Sequence, residues 1–492
     1  MVGGAAALAA EVEAIRKTHP NSATVSAGDL IGASQFASAL FLDEPTVGAM
    51  NRIGLDFNAV GNHEFDKGEA ELLRMQRGGC AKFTQRQPCL VEHFSGARFH
   101  FLAASTSGPE GRLLFPASGL RDFGRGAGKV RIGFIGLTLR ATPTLVTPSG
   151  VAGLHFGDEA AAINLETARL KRRGVDAVVV LIHQGGRQSD PSDPNACRGL
   201  AGEIVPILDR LDPRVDVVVS GHTHAAYICD WSQRPGALPL LLTSAGANGA
   251  FVTEIELRID PARHRLEGRH AVQHPVSPAN GIDAPVAAYI GDYVSRARSE
   301  GGRTAGHLAA AASGLSLAQL VADAQLGATA GAGAQIALTN PFGVRAPLEP
   351  KADGSLSYAD LYRTQPFNNT LVTQSLTGAE LKAVLEQGFD ADGPEQGLAP
   401  SSGLAYSVDR SRPPGDRIVA LTLNGVPIEP QSSYRVTTNS FLASGGDGFT
   451  QLSRQREAAQ GGNDLDALEA WLQTTPARQA PLQARITLLP GP

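Results

Sequence analysis

Short apolar stretches alternate with polar and glycine-rich segments along the first half of the chain. Stretches of this kind are typical of buried strands, and the amphipathic segments between them are typical of helices. This alternation predicts stacked α/β layers. The predicted strands are Ala23–Ser26, Phe57–Val60, Phe99–Ala103, Val130–Ile135, Ala177–Ile182, Val215–Val219, Leu238–Thr243 and Phe251–Ile259, and the predicted helices include Ala160–Arg173 and Leu200–Leu211.

A helix-like pattern over Ile282–Ser299 follows a proline-containing segment and predicts a connector between two domains. Beyond it the chain becomes richer in Ala, Gly, Leu and Thr, and new strand patterns predict a second α/β domain. These strands are Thr370–Ser375, Ile418–Leu423 and Tyr434–Thr438. We therefore predict a first domain at residues 1–275, a connector at 276–303 and a second domain at 304–492.

Composition narrows the class of protein. The 492 residues exceed what one core supports, and 42% hydrophobic with 18% charged residues is ordinary for a soluble globular protein. A net charge of -5 gives no electrostatic reason to bind a nucleic acid polymer. No apolar run approaches the roughly 18 to 20 residues of a membrane helix, so no transmembrane segment is predicted.

The four cysteines suggest an oxidising compartment. None lies in a CxxC arrangement, and we predict disulfides between Cys80 and Cys89 and between Cys197 and Cys229. The alternative is four reduced thiols in a cytoplasmic enzyme. Because disulfides persist outside the cytoplasm, we expect a periplasmic or secreted protein, although the first residues do not resemble a signal peptide.

Four polar clusters follow predicted strands in the first half. They are GDL at Gly28–Leu30, GNHEFD at Gly61–Asp66, HQGG at His183–Gly186 and GHTH at Gly221–His224. Ligands in layered α/β folds gather where the carboxyl ends of strands run out, so the four clusters are expected to meet in one cleft.

The residue types in these clusters suit a pair of divalent metal ions. Two such ions about 3.5 to 4 Å apart polarise phosphoryl oxygens and lower the pKa of a bound water toward 7. A lone Gly-Asp is usually a turn and a lone histidine is usually a core residue, but four clusters in series argue for a site. The candidate ligands are Asp29, Asn62, His183, His222 and His224.

In this order the clusters resemble the metallophosphoesterase (calcineurin-like) superfamily, whose fold is a two-sheet β-sandwich flanked by helices. The resemblance implies that Asp29 bridges two ions, whose identity among Zn, Mn, Co and Fe stays open. It implies that Asn62, His183 and His222 complete the shell of one ion and that His224 binds the other.

The resemblance also implies that His63 and Asp66 form a catalytic dyad at the leaving oxygen. The superfamily begins with a strand ending in Asp-X-His or Asp-X-Asn, and the residues before Asp29 contain neither; His19 lies in KTHPNS. The first ion would keep only Asp29 and His224. We therefore expect a weak, incomplete first metal site, and a true start further upstream that carries the export signal and the first strand.

The second half contains three further blocks: Thr339–Leu348, Gln365–Val372 and Phe441–Phe449. Arg345 offers a planar donor fork for phosphate, and Phe441 could stack on a base or could simply pack in the core.

These blocks resemble the C-terminal domain of 5'-nucleotidases. The likeness implies that Arg345 contacts phosphate, Asn368 lies near the ligand, Phe441 forms one face of a base clamp and Asp447 lies near the sugar. Two departures stand out. The usual Asn-x-Gly-Gly-x-Arg reads NPFGVR here, and the second clamp aromatic is replaced by Leu398 or lost.

Together the resemblances cover nearly the whole chain and indicate a bacterial, periplasmic or secreted 5'-nucleotidase. The expected activity is metal-dependent hydrolysis of nucleotide phosphate esters, with 2',3'-cyclic nucleotides and nucleotide sugars as further substrates. Two alternatives stay open: a sulfur-substrate hydrolase of the same superfamily, and a catalytically impaired nucleotide-binding protein. Fewer than about one metal ion per chain with intact ligand binding would favour the latter.

Overall fold

A computed structural model describes residues 3–84, 86–231, 240–390, 395–474 and 477–489. The chain divides into two compact units. The first comprises Met1–Gly32, Leu40–Pro143 and Ser149–Val294, and the second comprises Ala33–Ala39, Thr144–Pro148 and Ser295–Pro492.

The elements before residue 303 follow in chain order. The helices are α1 Gly4–Thr18, α2 Phe36–Ala39, α3 Glu44–Ile53, α4 Glu69–Arg77, α5 Thr142–Leu145, α6 Glu159–Arg172, α7 Ile204–Leu208 and α8 Ala284–Gly301. The strands are β1 Val25–Ser26, β2 Phe57–Ala59, β3 His100–Leu102, β4 Thr106–Ser107, β5 Ser118–Phe123, β6 Val130–Leu137, β7 His155–Phe156, β8 Ala177–Ile182, β9 Val217–Ser220, β10 Ala226–Trp231, β11 Leu240–Ala245, β12 Phe251–Asp260 and β13 Arg265–Pro275.

The first unit is a sandwich of two sheets. One sheet has the order β1-β2-β3 and is parallel, and the other has the order β10-β11-β9-β8-β6-β5. The core between them includes Phe57, Leu102, Phe134, Leu181 and Val217. Helices α6 and α7 pack on a second core on the opposite face of the larger sheet. The predicted two-sheet sandwich flanked by helices is confirmed.

Burial explains why the central strand of the larger sheet has no polar residue. All six residues of β8 are buried, because the sandwich core covers one face and the helices cover the other. Strand β12 of the hairpin β12–β13 instead alternates apolar and polar residues, with Ile255 and Leu257 packed against the sandwich core.

Several predicted bounds were wrong or incomplete. The predicted helix Leu200–Leu211 is only Ile204–Leu208, because Pro206 lacks an N–H and is tolerated only within the first helical turn. The sequence reasoning gave no bounds for α1, and it missed the strands β5, β10 and β13. The predicted strand Leu238–Thr243 begins with two residues that lie outside the described residues, and its described part starts at Leu240.

Both predicted disulfides are present, Cys80–Cys89 and Cys197–Cys229. The first closes a segment that follows α4, and the second joins a loop to the buried residue Cys229 of β10. Among the described residues, no helix combines the length and apolar character needed to span a bilayer.

The elements of the second unit continue the chain order. The helices are α9 Gly314–Ala328, α10 Tyr358–Thr364, α11 Gly378–Gln387, α12 Ser440–Ala443 and α13 Asp464–Leu472. The strands are β14 Thr304–His307, β15 Ile336–Thr339, β16 Ser355–Ser357, β17 Thr370–Thr377, β18 Ala399–Pro400, β19 Leu404–Asp409, β20 Ile418–Leu423, β21 Val426–Pro427, β22 Ser433–Asn439, β23 Ala459–Asn463 and β24 Ile486–Leu489.

Two sheets organise this unit. A five-stranded sheet has the order β18-β15-β22-β17-β23, and a four-stranded sheet has the order β21-β20-β19-β24. Strands β15 and β22 run parallel, whereas β17 is antiparallel to β22. The ends of β15 and β22 and the start of β17 therefore lie at one edge of the sheet, which we call the ligand edge.

Candidate functional site

Two turns at the ends of β1 and β2 begin the site in the first unit. These strands are parallel neighbours, so the GDL and GNHE turns leave the sheet at the same edge. A Cβ atom on Gly28, which has φ +94, would lie 2.7 Å from His183 Nδ1, and one on Gly61 would lie 2.2 Å from Asp29 Oδ1. Glycine is required at both positions because neighbouring groups approach the backbone this closely.

The structure brings three of the five predicted metal ligands into one group. The ligand atoms of Asp29, His183 and His222 lie within 4.8 Å of one another, and the rings of His183 and His222 are 5.2 Å apart between centroids. Asn62 is buried in the turn after β2. His224 is exposed and, within the described part of the chain, does not join the three-residue group.

Two buried polar atoms test whether this group suits a metal ion. His183 Nδ1 lies 2.7 Å from the carbonyl oxygen of Ala27, so Nδ1–H donates there and Nε2 faces Asp29 Oδ2 at 2.8 Å. Nε2 is not aligned for a hydrogen bond, and Asn62 Oδ1 likewise has no hydrogen-bond partner among the described residues. Buried polar atoms are rarely left unpartnered, and imidazole and oxygen donors suit divalent ions. The residues therefore fit a metal site.

Charge in the group also favours a cation. Burial alone would raise the pKa of Asp29, but the neighbouring His183 and His63 hold it well below its usual value. Burial lowers the pKa of His183, but the effect of the neighbouring Asp29 carboxylate is larger. The pKa of the His183 imidazole is therefore raised. Burial, with His183 nearby, lowers the pKa of His222 to about 4, so His222 is neutral and available as a ligand at neutral pH.

The GHTH turn has an unusual backbone. His222 and His224 have φ values of 67° and 59°, in the left-handed region that non-glycine residues rarely adopt. Thr223 Oγ1 donates to the carbonyl oxygen of Gly186 at 2.7 Å and so ties this turn to the HQGG loop. Strain of this kind persists only where the surroundings fix it, and it clusters at functional sites.

Glu64 is a buried carboxylate within the GNHEFD cluster. The sequence alone assigned it no role. Its Oε2 accepts the backbone N–H groups of Asp29 at 2.8 Å and Gly61 at 2.7 Å. Its Oε1 accepts the N–H of Leu30 at 2.9 Å and the side-chain amide of Asn58 at 3.2 Å. Burial and the nearby Asp29 raise the pKa of Glu64 to about 7. Glu64 thus joins the two turns that carry Asp29 and Asn62.

His63 and Asp66 lie side by side at the same turn. His63 Nδ1 is 2.9 Å from Asp66 Oδ2 and 3.1 Å from Oδ1, and the backbone N–H of His63 donates to Asp29 Oδ1 at 2.8 Å. The contact with Asp66 fixes the ring and directs Nε2 away from Asp66.

The ligand edge of the second unit contains the other candidates. Asn439, at the end of β22, donates to Asn340 Oδ1 at 3.1 Å, and Asn340 donates to Asp447 Oδ2 at 2.7 Å. Burial raises the pKa of Asp447, although Asn340 and Arg345 act against it. This chain of hydrogen bonds links the blocks that follow β15 and β22.

Arg345 and Asn368 are exposed at the same edge. The Arg345 guanidinium carbon lies 5.9 Å from the centroid of the Phe367 ring, and its backbone N–H donates to Thr364 O at 2.9 Å. Asn368 has a φ of 56° and lies just before β17, which begins at Thr370.

The aromatic side chains at the ligand edge differ in exposure. Phe441 is partly buried, packs against the core and covers Gly446, where a Cβ would lie 2.5 Å from its ring. Leu398 is 0% exposed, so it does not occupy the place of a second clamp. Phe342 is 49% exposed. Phe342 and Phe441 occupy matching places in the sequence, in TNPF at the end of β15 and in TNSF at the end of β22.

Comparison with known proteins identifies both halves. The family model for calcineurin-like phosphoesterase matches residues 1–226, and the model for the 5'-nucleotidase C-terminal domain matches residues 295–454. The two matches define a phosphoesterase domain followed by a nucleotidase domain. The chain thus has the two domains of the 5'-nucleotidase family. Calcineurin-like phosphoesterases typically depend on two metal ions.

The chain is also similar to individual proteins over most of its length. The chain is 24% identical to the 5'-nucleotidase of Bos taurus over 100% of its own length and 86% of that protein. It is 29% identical to endonuclease YhcR of Bacillus subtilis over 89% of its length, but it spans only 34% of that protein. The crystal structure of a 5'-nucleotidase precursor from Thermus thermophilus matches with a TM-score of 0.81 and 26% identity, covering 100% of this chain and 94% of that one.

Proposed function

We propose that this protein hydrolyses the phosphate ester of nucleoside monophosphates, with divalent metal ions held by Asp29, His183 and His222, which we call the Asp29 group. The observation that carries the proposal is the convergence of the ligand atoms of Asp29, His183 and His222, together with the buried Asn62 Oδ1, which has no hydrogen-bond partner among the described residues. Asn62 and His224 are proposed as the remaining ligands. Divalent ions bound there would polarise the phosphoryl oxygens and supply a nucleophile near neutral pH.

The residues around this group have separate tasks in the proposal. His63, oriented by Asp66, donates a proton to the leaving ribose oxygen through Nε2. Glu64 keeps the Asp29 and Asn62 turns in register, so it is a positioning residue.

The residues at the ligand edge are proposed to determine substrate specificity. Arg345 pairs with phosphate through its donor fork, and Phe441 stacks on the base. Asn368 and Asp447 are proposed to contact the sugar side of the ligand; Asp447 is fixed by Asn340. The domain bounds proposed for this division of labour are residues 1–275 and 304–492, joined by 276–303. 2',3'-Cyclic nucleotides and nucleotide sugars are proposed as further substrates.

The proposed location is the periplasm or the cell exterior. The two disulfides support it, because such bonds persist in oxidising compartments and are rare in the cytosol.

Phosphate release from AMP tests the proposal. The metal-loaded protein is expected to release phosphate, and His222→Ala is expected to abolish release and lower the metal content. His155→Ala, which removes an exposed histidine on β7, is the control and should behave as the wild type. If His222→Ala retained full activity, the metal group would not be the reaction centre. AMP binding without phosphate release would indicate a catalytically impaired nucleotide-binding protein.

A further inference from the structure

The outer face of the hairpin β12–β13 is unusually rich in histidine and glutamate. In this antiparallel pair Glu254 is opposite Val272, Glu256 is opposite His270 and Val252 is opposite His274. Ile255 and Leu257 point into the sandwich core, so the alternate residues Glu254 and Glu256 share the opposite face of the hairpin.

His19 reaches this face from the end of α1. His19 Nε2 lies 2.9 Å from Glu254 Oε1 and 4.0 Å from Glu256 Oε1. Glu254 Oε2 lies 2.8 Å from His274 Nε2, and His274 Nδ1 lies 3.6 Å from Glu11 Oε1. One imidazole therefore faces each oxygen of Glu254.

The spacing of these atoms suits a small divalent ion. A tetrahedral zinc ion with bonds of about 2.0 to 2.2 Å separates its ligand atoms by about 3.3 to 3.6 Å. The two distances from His19 Nε2 lie on either side of that value, and the ligand atoms of His19, Glu254 and Glu256 all lie within 4.8 Å of one another. Small rotations of exposed side chains would equalise the distances.

Electrostatics at this face also favours a cation. His19 caps the carboxyl end of α1, a helix of 15 residues, where the backbone carbonyl groups carry partial negative charge. Glu11, Glu254 and Glu256 add three carboxylates. Glu254 is the most shielded of the three ligands, with its side chain 16% exposed. Less water therefore competes with the ion for its carboxylate oxygens.

From this arrangement we infer that His19, Glu254 and Glu256 form a second, structural site for a zinc-type divalent ion, which ties the end of α1 to the hairpin β12–β13. The site shares no residue with the Asp29 group. Imidazole with two carboxylates suits zinc better than magnesium, which prefers an all-oxygen shell. His274 supports the site by contacting the second oxygen of Glu254.

Zinc binding to the full chain tests this site independently of hydrolysis. The probe is Zn²⁺, measured by equilibrium dialysis with metal analysis, and each variant is also unfolded by heat with and without Zn²⁺. The variants are His19→Ala and the shape-preserving Glu256→Gln, with His155→Ala as the control. The same changes are repeated in a His222→Ala background to separate this site from the Asp29 group.

We expect His19→Ala to bind one zinc ion fewer than the wild type, and Glu256→Gln to bind that ion at least about tenfold more weakly. In the His222→Ala background, Zn²⁺ should raise Tm, and adding His19→Ala should remove the rise. AMP hydrolysis by His19→Ala should stay at the wild-type level. Equal zinc content and an equal Tm response with and without His19 would overturn the site and leave the contacts as hydrogen bonds only. A response to Mg²⁺ as large as that to Zn²⁺ would also contradict it.

Discussion

Replacing Glu64 by glutamine is the most informative change in the first unit. Each oxygen of the Glu64 carboxylate accepts two N–H donors, Oε2 from Asp29 and Gly61, and Oε1 from Leu30 and Asn58. An amide offers an acceptor oxygen to only one of these pairs. The two N–H donors of the other pair then face the NH₂ group of the glutamine. That group is itself a donor, so both N–H groups stay buried without an acceptor.

The cost follows from those two lost bonds. Hydrogen bonds to charged groups contribute roughly 1.5 to 3 kcal/mol each. At the lower end of that range, the two lost bonds give an expected cost of about 3 kcal/mol. For a domain of this size that corresponds to a fall in Tm of roughly 6 °C.

Calorimetry and metal analysis of Glu64→Gln measure both consequences. The displaced turns should also lose bound metal, because Asp29 and Asn62 depend on them for position. Glu159→Gln is the matched control: Glu159 is 6% exposed and, among the described residues, accepts one backbone N–H, from Arg140 at 2.6 Å. That control should lower stability by about 1 kcal/mol and leave metal content unchanged. Equal Tm and equal metal content in Glu64→Gln and the wild type would refute the reasoning.

Three further predictions follow from particular contacts. Asp66→Asn should lower kcat for AMP by at least about 100-fold with unchanged metal content, because Asp66 fixes the ring of His63; a loss of metal instead would point to a structural role. Replacing both Cys197 and Cys229 by alanine should lower the free energy of unfolding by about 3 to 4 kcal/mol, because the bond spans 32 residues; chemical denaturation measures this, and an unchanged midpoint would contradict it. Phe441→Ala should raise KM for AMP by roughly 5- to 150-fold and leave KM for ribose 5-phosphate unchanged; equal effects on both would exclude base stacking.

Much of the fold followed from local pattern. The strand Ala177–Ile182 was predicted with its observed bounds. Its uninterrupted apolar run is typical of a central parallel strand that is buried on both faces. The hairpin strand β13 was missed because its two faces meet different surroundings, and neither alternation nor a continuous apolar run is clear in its sequence. Helix α1 received no bounds from the sequence because its many alanines give a weak amphipathic pattern.

The sequence predicted contacts of the candidate site between residues that are close in one motif. It did not predict contacts between residues that are far apart along the chain. The pair His63 and Asp66 is separated by three residues, so the motif itself suggested the contact. The bond from Glu64 to Asp29 spans 35 residues, and that from His19 to Glu254 depends on a helix packing beside a hairpin. Leu398 was named as one replacement for the second clamp aromatic because the sequence does not show that Leu398 is buried.

The central claim is that ions held by Asp29, His183 and His222 are required for hydrolysis of a nucleotide phosphate ester. The most direct measurement is phosphate release from AMP by the chelator-treated protein as Zn²⁺, Mn²⁺ or Co²⁺ is added back, with bound metal counted in the same samples. The account predicts negligible release without metal, and activity that rises in proportion to occupancy in the wild type but not in Asp29→Asn. Full activity in the metal-free protein, or equal recovery in Asp29→Asn, would contradict it.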